Sequence, residues 1–326
     1  MSDTSNTSNN VNVSPTSTAS ITSTTSTTST TSNTSNTGPV ALYFQMYRLG
    51  ETLSSTSAKT ILSLLPSSYA NRQVNLILCF QCANVGGTVT TGSGDSFVAF
   101  TKQAALAKTF ISELKSANRK VTVSIGGEKG YDTGWPNLIN SATIATFVKS
   151  MKTFIDTFGF NGYDVDYEEL QSVEKTDPNY NVLQQQRLSI VQALRAAMPS
   201  PTYYASITGW SVGACTPTLC PQFKTGTNVG MDIPVLSNAT VRNSFDAWHI
   251  MSYYTGLESN AAEQMKNTVS AFAASGVAKA KLFGGIILGQ YTVTTANNFV
   301  TLLHSQGYNA YLWDLYSGTT QFLAIL

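Results

Sequence analysis

The chain has 326 residues, a formal net charge of +1 and 11% charged residues, while its 42% of hydrophobic residues suffices for a sizeable core. Lysine and arginine are not in the excess needed to follow a phosphate backbone, so the composition excludes a general nucleic-acid binder. No segment approaches the roughly 20 apolar residues of a membrane-spanning helix, so we expect no membrane span. A neutral polymer such as a polysaccharide suits this charge balance.

Residues 1–38 differ in composition from the rest of the chain. Thirty of these 38 residues are Ser, Thr or Asn, and Asp3 is the one charged residue among them. So few apolar side chains cannot offset the entropy lost on ordering, which predicts a disordered low-complexity tail. Sequons begin at Asn6, Asn12 and Asn33 and favour a secreted or extracellular protein, although the segment lacks the basic start and apolar run of a signal peptide.

From residue 39 onward, short apolar runs alternate with stretches that carry apolar residues at helical spacing. Strands are predicted at 40–46, 74–80, 120–125, 162–167, 202–208, 247–253, 281–288 and 310–314. Helices are predicted at 101–117, 143–158, 183–197, 261–274 and 295–305. Strands alternating with helices predict a closed α/β architecture, a (β/α)8 TIM barrel over residues 39–326. The alternative is an open doubly wound sheet, but no Gly-x-Gly-x-x-Gly loop follows a predicted strand.

The strongest functional signal lies in the fourth predicted strand. Because side chains in a strand alternate faces, Asp164, Asp166 and Glu168 are expected to point the same way, into the barrel. Three close carboxyls cannot all ionise cheaply, so at least one should hold a proton near neutral pH. Glu168 lies nearest the mouth, where barrel active sites form, and is the candidate general acid. The alternatives are a solvated edge strand and a hard-metal site, which would need ligands from further segments.

The four cysteines fall into two close pairs. Cys215 and Cys220 flank a short loop and are predicted to form a small disulfide. Cys79 and Cys82 lie in a predicted apolar strand run and are interpreted as buried free thiols. Zinc held by both pairs is the alternative.

Only two histidines are present, His249 and His304. This scarcity disfavours mechanisms that need a histidine base or a cluster of histidine metal ligands. Both side chains are predicted to be structural, one in an apolar strand and the other on a helix. We expect neither a metal nor a cofactor.

The residues around the three acids resemble the DGxDxDxE signature of the family-18 glycoside hydrolases, the chitinase family. Three further segments agree with that family in chain order: Ser124-Ile125-Gly126-Gly127 looks like its SxGG motif, Met251-Ser252-Tyr253 looks like its MxY motif, and Trp313 lies in the eighth strand, where the family places a tryptophan under the reacting sugar. The resemblance covers residues 39–326 and implies a single catalytic barrel.

The resemblance implies hydrolysis of β-1,4 N-acetylglucosamine linkages in chitin or chitooligosaccharides by a retaining, substrate-assisted route. Glu168 would protonate the glycosidic oxygen, and the 2-acetamido group of the substrate would attack the anomeric carbon. Asp166 would orient the acetamido N–H, and Asp164 would share a proton with Asp166. Tyr253 would hold the acetamido oxygen, and Trp313 would stack on the sugar.

The substrate-binding residues are expected at the same strand ends. The resemblance implies support for the acids from Ser124, Gly126 and Gly127, and contacts with the sugar from Met251 and Tyr254. Further aromatic candidates, each equally consistent with packing, are Tyr47, Trp135 and Trp210.

The chain departs from the family pattern at two positions. Asn161 stands where the signature has its first Asp, and Tyr254 stands where relatives often carry Asp or Asn. The few residues between Gln290 and the next predicted helix leave no room for the α+β insertion of some members. We therefore expect an open groove suited to internal cuts.

Two other functions stay open, and the chain is expected to be a monomer. One is an endo-β-N-acetylglucosaminidase acting on N-glycans. The other is a non-catalytic chitinase-like sugar-binding protein, which the presence of Glu168 disfavours.

Overall fold

The computed structural model describes residues 38–49, 53–79, 82–85, 88–91, 102–127, 135, 138–173, 175–223, 228–254, 260–287 and 289–326. Residues 1–37 of the predicted tail lie outside this part. The ten strands of the described residues are β1 (Val40–Gln45), β2 (Val74–Cys79), β3 (Cys82–Val85), β4 (Thr88–Thr91), β5 (Arg119–Gly127), β6 (Gly162–Tyr167), β7 (Tyr204–Trp210), β8 (Ala247–Met251), β9 (Leu282–Ile287) and β10 (Asn309–Trp313).

Eight of these strands form a closed parallel barrel in the order β1-β10-β9-β8-β7-β6-β5-β2. Helices follow most of them along the chain, as the predicted (β/α)8 barrel requires, and the alternative of an open sheet is wrong. Within the described residues the helices are α1 (Ser57–Leu62), α2 (Ala104–Leu114), α3 (Ser141–Phe158), α4 (Pro178–Ala197), α5 (Ile233–Ser237), α6 (Ala239–Ser244), α7 (Ala261–Ala274), α8 (Val293–Ser305) and α9 (Thr320–Leu323).

All eight predicted barrel strands are present, and they differ from the prediction mainly at their ends. The largest shift is in β7, which begins and ends two residues later than the predicted 202–208. The hairpin of β3 and β4, which pair antiparallel outside the barrel, was not predicted. It separates the two cysteines that were assigned to one strand, since Cys79 ends β2 and Cys82 begins β3.

The helices next to the acidic strand begin and end where local chemistry dictates. Asn140 caps α3 by accepting hydrogen bonds from the backbone N–H groups of Ala142 and Thr143. The same helix ends at Gly159, whose φ of 76° suits glycine and turns the chain towards β6. Asp177 caps α4, and a proline occupies the first turn of that helix. These signals fix both helices that flank β6 in the sequence.

The two faces of the barrel strands have different compositions. Outward positions such as Leu42, Val123 and Val165 are buried in the main hydrophobic core together with helical residues. Inward positions form a second, smaller apolar cluster that includes Tyr43, Met251 and Tyr311. Between these inward aromatic rings lie buried polar side chains, among them Asp164 and His249. The barrel interior is therefore polar in the region of the acids, which simple packing does not require.

Two further findings bear on the predictions from composition. Among the described helices, none has the length and apolar character needed to cross a membrane. Cys215 and Cys220 form the predicted disulfide, with Cα atoms 5.3 Å apart. The zinc alternative that needed both cysteine pairs is therefore wrong.

Candidate active site

The three acids lie along β6 and just beyond its carboxyl end. Asp164 and Asp166 are on the inward face of β6, where Asp164 pairs in register with Ser124 and Ser206, and Asp166 with Gly126. Glu168 follows the strand and is hydrogen-bonded to Asp166 through its side chain. Their exposed fractions are 0%, 5% and 6%, so all three carboxyls are withdrawn from bulk water. The predicted alternative of a solvated edge strand is wrong.

Asp164 is surrounded by hydrogen-bond donors. Its Oδ1 accepts from Ser206 Oγ at 2.7 Å and lies 3.4 Å from His249 Nδ1. Its Oδ2 accepts from the hydroxyls of Ser124 at 3.0 Å and of Tyr43 and Thr208 at 3.1 Å. Burial would raise the pKa of Asp164, but His249, through its hydrogen bond and its electrostatic attraction, and the hydrogen bonds from Ser206 and Ser124 lower that pKa below its ordinary value. Asp164 is therefore the ionised member of the row.

Asp166 has the opposite character. Burial, followed by the charges of Glu168 and Asp164 and the hydrogen bond with Glu168, raises the pKa of Asp166 well above its ordinary value. The charge of Arg187 opposes this rise only in part. Asp166 is thus the aspartate that keeps a proton, and it keeps that proton next to Glu168. A proton held between two crowded carboxyls is available for acid catalysis.

Gly126 lets the backbone of β5 approach β6 at the level of the acids. Its φ is +110°, a conformation that L side chains rarely adopt, and the indole nitrogen of Trp135 lies behind it. Gly127, the next residue, has a φ of +116°, and no atom of the described residues lies within 4 Å of the position of a Cβ there. Both glycines at the end of β5 therefore have a positive φ, and at Gly126 a side chain would also collide with its neighbours.

The wall opposite β6 is aromatic. Tyr253 is 3% exposed, in the short 3-10 turn that follows β8, and its ring lies 6.3 Å from that of Tyr311. Trp313 ends β10, half-buried, with its ring 5.2 Å from that of Tyr43, and the Trp313–Asp314 peptide bond is cis. Met251 is buried in the same inward cluster. The barrel thus brings together the acids, Ser124, Gly126, Met251, Tyr253 and Trp313.

Residues 66–316 match the sequence model of the glycosyl hydrolases family 18. The chain belongs to this family. The match includes the acids on β6, the glycine pair of β5, Tyr253 and Trp313. The resemblance drawn from the motifs is confirmed.

A curated relative matches this family 18 protein over a short segment. A segment of 97 residues, 29% of this chain, is 32% identical to Chitinase Chi52 of Paenibacillus xylanexedens and covers 18% of that protein. The matched segment thus spans less than a fifth of the curated relative.

Solved structures of family 18 members share the barrel. A GH18 chitinase from Pseudoalteromonas aurantia superposes with a TM-score of 0.60 at 16% identity, over 88% of this chain and 98% of that one. A Group IV chitinase from Ostrinia furnacalis gives 0.61 at 14% identity, over 88% and 98%. A family GH18 chitinase from Chromobacterium violaceum gives 0.59 at 17%, over 89% and 81%. At such identities the likeness shows the fold alone.

The other aromatic candidates lie in different surroundings. Trp135 is fully buried, with its ring 5.7 Å from that of Phe147 and 5.3 Å from that of Tyr167, in the packing outside the barrel. It is therefore a packing residue. Trp210 is half-buried on the inward face of β7, in register with Met251.

Two further candidates, Tyr47 and Tyr254, have no described contact with the acids. Tyr47 is 52% exposed, beside the guanidinium of Arg48. The side chain of Tyr254 lies outside the described part of the structure, so its predicted contact with the sugar stays a prediction.

Several residues of this site were not singled out in the sequence. His249 was interpreted as structural and Tyr43 was not considered, yet the two are hydrogen-bonded to each other at 2.7 Å and both face Asp164. Ser206 and Thr208 complete this set. A signal was present, because polar residues occupy alternate positions of otherwise apolar strands. An inward polar face on several strands at once indicates a polar cluster inside the barrel.

A buried ion pair lies on the outer side of β7. The guanidinium of Arg187 donates to Asp232 Oδ1, and its second Nη donates to the carbonyl oxygen of Thr208 at 3.3 Å. Asp232 Oδ2 accepts from the backbone N–H of Trp210 at 2.9 Å. The exposed fractions of Arg187 and Asp232 are 1% and 0%. This pair fixes the end of β7 and supplies the positive charge that acts on Asp166.

The acids could in principle have been a metal site. Over the part of the chain that the structure describes, no group of three or more His, Cys, Asp or Glu side chains is arranged to hold a metal ion. The hydroxyl donors around Asp164 also occupy the oxygen positions that a cation would need.

Proposed function

We propose that this family 18 protein hydrolyses β-1,4 linkages between N-acetylglucosamine units of chitin or chitooligosaccharides, with retention of the anomeric configuration. The observation that carries the proposal is the pair of Asp166 and Glu168, two buried, hydrogen-bonded carboxyls at the mouth of the barrel, of which Asp166 has a strongly raised pKa. Such a pair holds a proton where a glycosidic oxygen can receive it. Family membership supports the same class of reaction.

The arrangement of carboxylates supports assistance by the substrate. A retaining mechanism with an enzyme nucleophile needs a second carboxylate across the sugar from the acid, about 5 Å away. Asp314, a buried carboxylate at the end of β10, is instead held in an ion pair with Arg48 at 2.5 Å. Asp232 is held by Arg187 outside β7. The nucleophile in our proposal is therefore the carbonyl oxygen of the 2-acetamido group.

In the first step the proton that Asp166 shares with Glu168 passes through Glu168 to the glycosidic oxygen, which leaves Asp166 ionised, and the bond from that oxygen to the anomeric carbon breaks. The acetamido oxygen forms a bond to the same carbon, which yields an oxazolinium ion and releases the shortened sugar chain. Asp166 accepts a hydrogen bond from the acetamido N–H, and the hydroxyl of Tyr253 holds the acetamido oxygen in line.

In the second step water attacks the anomeric carbon from the face that the leaving group vacated. Glu168 takes a proton from this water, the oxazolinium ring opens, and the configuration is retained. Asp164 stays ionised throughout, and its charge keeps the pKa of Asp166 high. The proton taken from water therefore stays on the pair of Asp166 and Glu168 after each turnover. Trp313 forms the floor on which the reacting sugar stacks.

We also propose cleavage within the polymer chain. Ile287 ends β9 and Val293 begins α8, so the segment after β9 is too short to build an inserted domain beside the groove. An open groove accepts the middle of a long chain as readily as its end.

The test is hydrolysis of chitopentaose by the whole chain, followed by proton NMR of the product before mutarotation. We expect the β-anomer first, and inhibition by a thiazoline that mimics the oxazolinium ion. An α-anomer as first product would overturn retention, and indifference to the thiazoline would overturn assistance by the acetamido group. Binding without cleavage would indicate a sugar-binding protein on a silent barrel.

A further inference from the structure

His249 is a fully buried imidazole inside the barrel that the proposed reaction does not use. It lies on β8 with 0% of its surface exposed. Its ring packs edge-on against Phe283 at 5.2 Å and against Tyr43 at 5.5 Å. Its Nδ1 is 2.7 Å from the hydroxyl of Tyr43 and 3.4 Å from Asp164 Oδ1. A histidine placed in this way must have a defined protonation state, because both neighbours are hydrogen-bonding groups.

The neighbours decide which nitrogen carries the hydrogen. The hydroxyl of Tyr43 has one hydrogen and three neighbours: Asp164 Oδ2 and Thr208 Oγ1, each 3.1 Å away, and His249 Nδ1. An ionised Asp164 can only accept and takes this hydrogen, so the Tyr43 oxygen is left to accept from Nδ1. A bare Nδ1 would also place its lone pair 3.4 Å from the lone pairs of a carboxylate oxygen, which is repulsive. Nδ1 therefore carries a hydrogen.

The other ring nitrogen points the opposite way. Among the described residues, Nε2 of His249 has no hydrogen-bond partner. An N–H at this position would be a buried donor without an acceptor, and a doubly protonated ring would add a buried charge to that cost. A bare Nε2 is the less costly state. The geometry favours a neutral imidazole with its hydrogen on Nδ1.

We propose that His249 is a positioning residue whose Nδ1–H holds Tyr43 and Asp164 in place, keeps Asp164 ionised, and thereby keeps the proton of the acidic row on Asp166 and Glu168. This role acts through Asp164, since His249 does not itself reach the sugar. The kinetic part of the proposal rests on the proposed glycosidase function, whereas the tautomer and the ionisation of Asp164 do not.

Among the described groups that contact Asp164, the imidazole of His249 is the one nitrogen donor, and the others are the hydroxyls of Tyr43, Ser124, Ser206 and Thr208. The titratable side chains on the inward faces of the described strands are Tyr43 on β1, Cys79 on β2, Lys120 on β5, Asp164 and Asp166 on β6, Tyr204 on β7 and Tyr311 on β10. Lys120 lies at the far side of Tyr204, with its Nζ 5.6 Å from the centroid of that ring. Strand β9 contributes Phe283, which does not titrate. The guanidinium of Arg187 lies on the outer side of β7. Removing His249 would therefore leave hydroxyl groups alone to stabilise the charge on Asp164.

The first test reads the tautomer directly in the protein without substrate. The chain has only two histidines, so ¹⁵N-imidazole NMR of histidine-labelled protein gives two spin systems, and His304→Gln assigns them. We expect His249 to carry hydrogen on Nδ1 and none on Nε2, because Nδ1 faces two oxygen atoms that can accept its hydrogen. A ring protonated on Nε2 alone, or on both nitrogens, would overturn the proposal.

The second test uses two substitutions that differ in one property. Asparagine places an amide near the position of Nδ1 and can donate to Tyr43, whereas leucine fills similar space without a donor. We expect His249→Leu to lower kcat about tenfold with KM within about twofold of wild type, the cost of one hydrogen bond to a charged group. The acid limb of the pH profile should move up by about one unit. His249→Asn should restore kcat to within about threefold of wild type and return the acid limb towards its wild-type position.

The ionisation of Asp164 is followed separately by ¹³C NMR of aspartate carboxyls, again without substrate. The pKa of Asp164 should rise in His249→Leu and return towards its native value in His249→Asn. Equal behaviour of the two variants, or an unmoved pKa in the leucine variant, would overturn the positioning role. Should the wild-type protein fail to cleave chitooligosaccharides, the proposed function fails, and the two NMR measurements still decide the role of His249.

Discussion

The backbone of Gly126 passes so close to Asp166 that a Cβ added to Gly126 would lie 1.9 Å from the carbonyl oxygen of Asp166. No arrangement of a larger residue relieves this contact without moving β5 away from β6, because the obstructing atom belongs to the backbone. The register between these strands places Ser124 against Asp164 and so completes the donor set of Asp164. Space at one glycine thus determines the geometry of the carboxylates.

Gly126→Ala should therefore unfold more easily and lose activity. We expect the free energy of unfolding to fall by about 3 kcal/mol or more, from backbone strain together with the steric overlap. Gly127→Ala is the matched control, since the φ of Gly127 is also positive and its new Cβ meets no atom of the described part of the chain within 4 Å. It should lose only the strain, about 1–2 kcal/mol. Urea denaturation measures the unfolding free energy of both variants. Equal losses would contradict a steric contribution from the contact between the new Cβ and Asp166.

Glu168→Gln should abolish hydrolysis while binding of chitooligosaccharides persists. Removal of a general acid typically lowers the rate by about 10²–10⁴-fold, and the amide retains the shape of the side chain. Glu169→Gln, one residue further along and also buried, makes the same chemical change outside the acidic row and serves as control. Turnover in Glu168→Gln within about tenfold of wild type would contradict its role as acid.

Asp166→Asn should make the protein more stable at neutral pH and less active. The folded pKa of Asp166 is raised by burial and by Glu168, so stability falls as the pH rises from the unfolded value of about 4 to the folded pKa. Asparagine does not ionise and so removes this loss of stability, which is about 1.4 kcal/mol for each unit by which the folded pKa of Asp166 exceeds its unfolded pKa. Guanidinium denaturation from acid to neutral pH should show wild type and variant converging in acid. Parallel curves would contradict a raised pKa.

The ion pair of Arg187 and Asp232 should show strong coupling. Arg187→Met leaves the buried carboxylate of Asp232 without its cation, and burial already raises the pKa of that carboxylate. The substitution should lower the free energy of unfolding by about 3–5 kcal/mol. Adding Asp232→Asn removes that charge and keeps an oxygen for the backbone N–H of Trp210. The double variant should therefore recover much of the loss. A double-mutant cycle by urea denaturation tests this, and additive losses would exclude the coupling.

Periodicity was sufficient to predict the barrel, because each strand signals itself locally. The strand at 162–167 was predicted to the residue, since Gly159 ends the preceding helix and the acids alternate with apolar residues. Elements without such a signal were missed: α1 and α5 are only six and five residues long. The predicted disorder of residues 1–38 and the roles given to the site residues stay predictions.

The polar cluster could not be derived from local sequence. Tyr43 is 121 residues from Asp164 and 206 residues from His249, and only the closure of the barrel brings these three together. A histidine in an apolar strand has the same local pattern whether its neighbour is a phenylalanine or a carboxylate. Register across five strands is a property of the whole sheet, and no window of one strand contains it.

The donors to Asp164 come from β1, β5, β7 and β8, so they derive from both halves of the chain. A fragment ending after β6 would contain the buried charge with Tyr43 and Ser124 but without Ser206, Thr208 and His249. The complementary fragment would bury those three groups without their acceptor. Neither half-barrel can satisfy its own buried polar groups, so we expect separately produced halves to become structured only by assembling with each other.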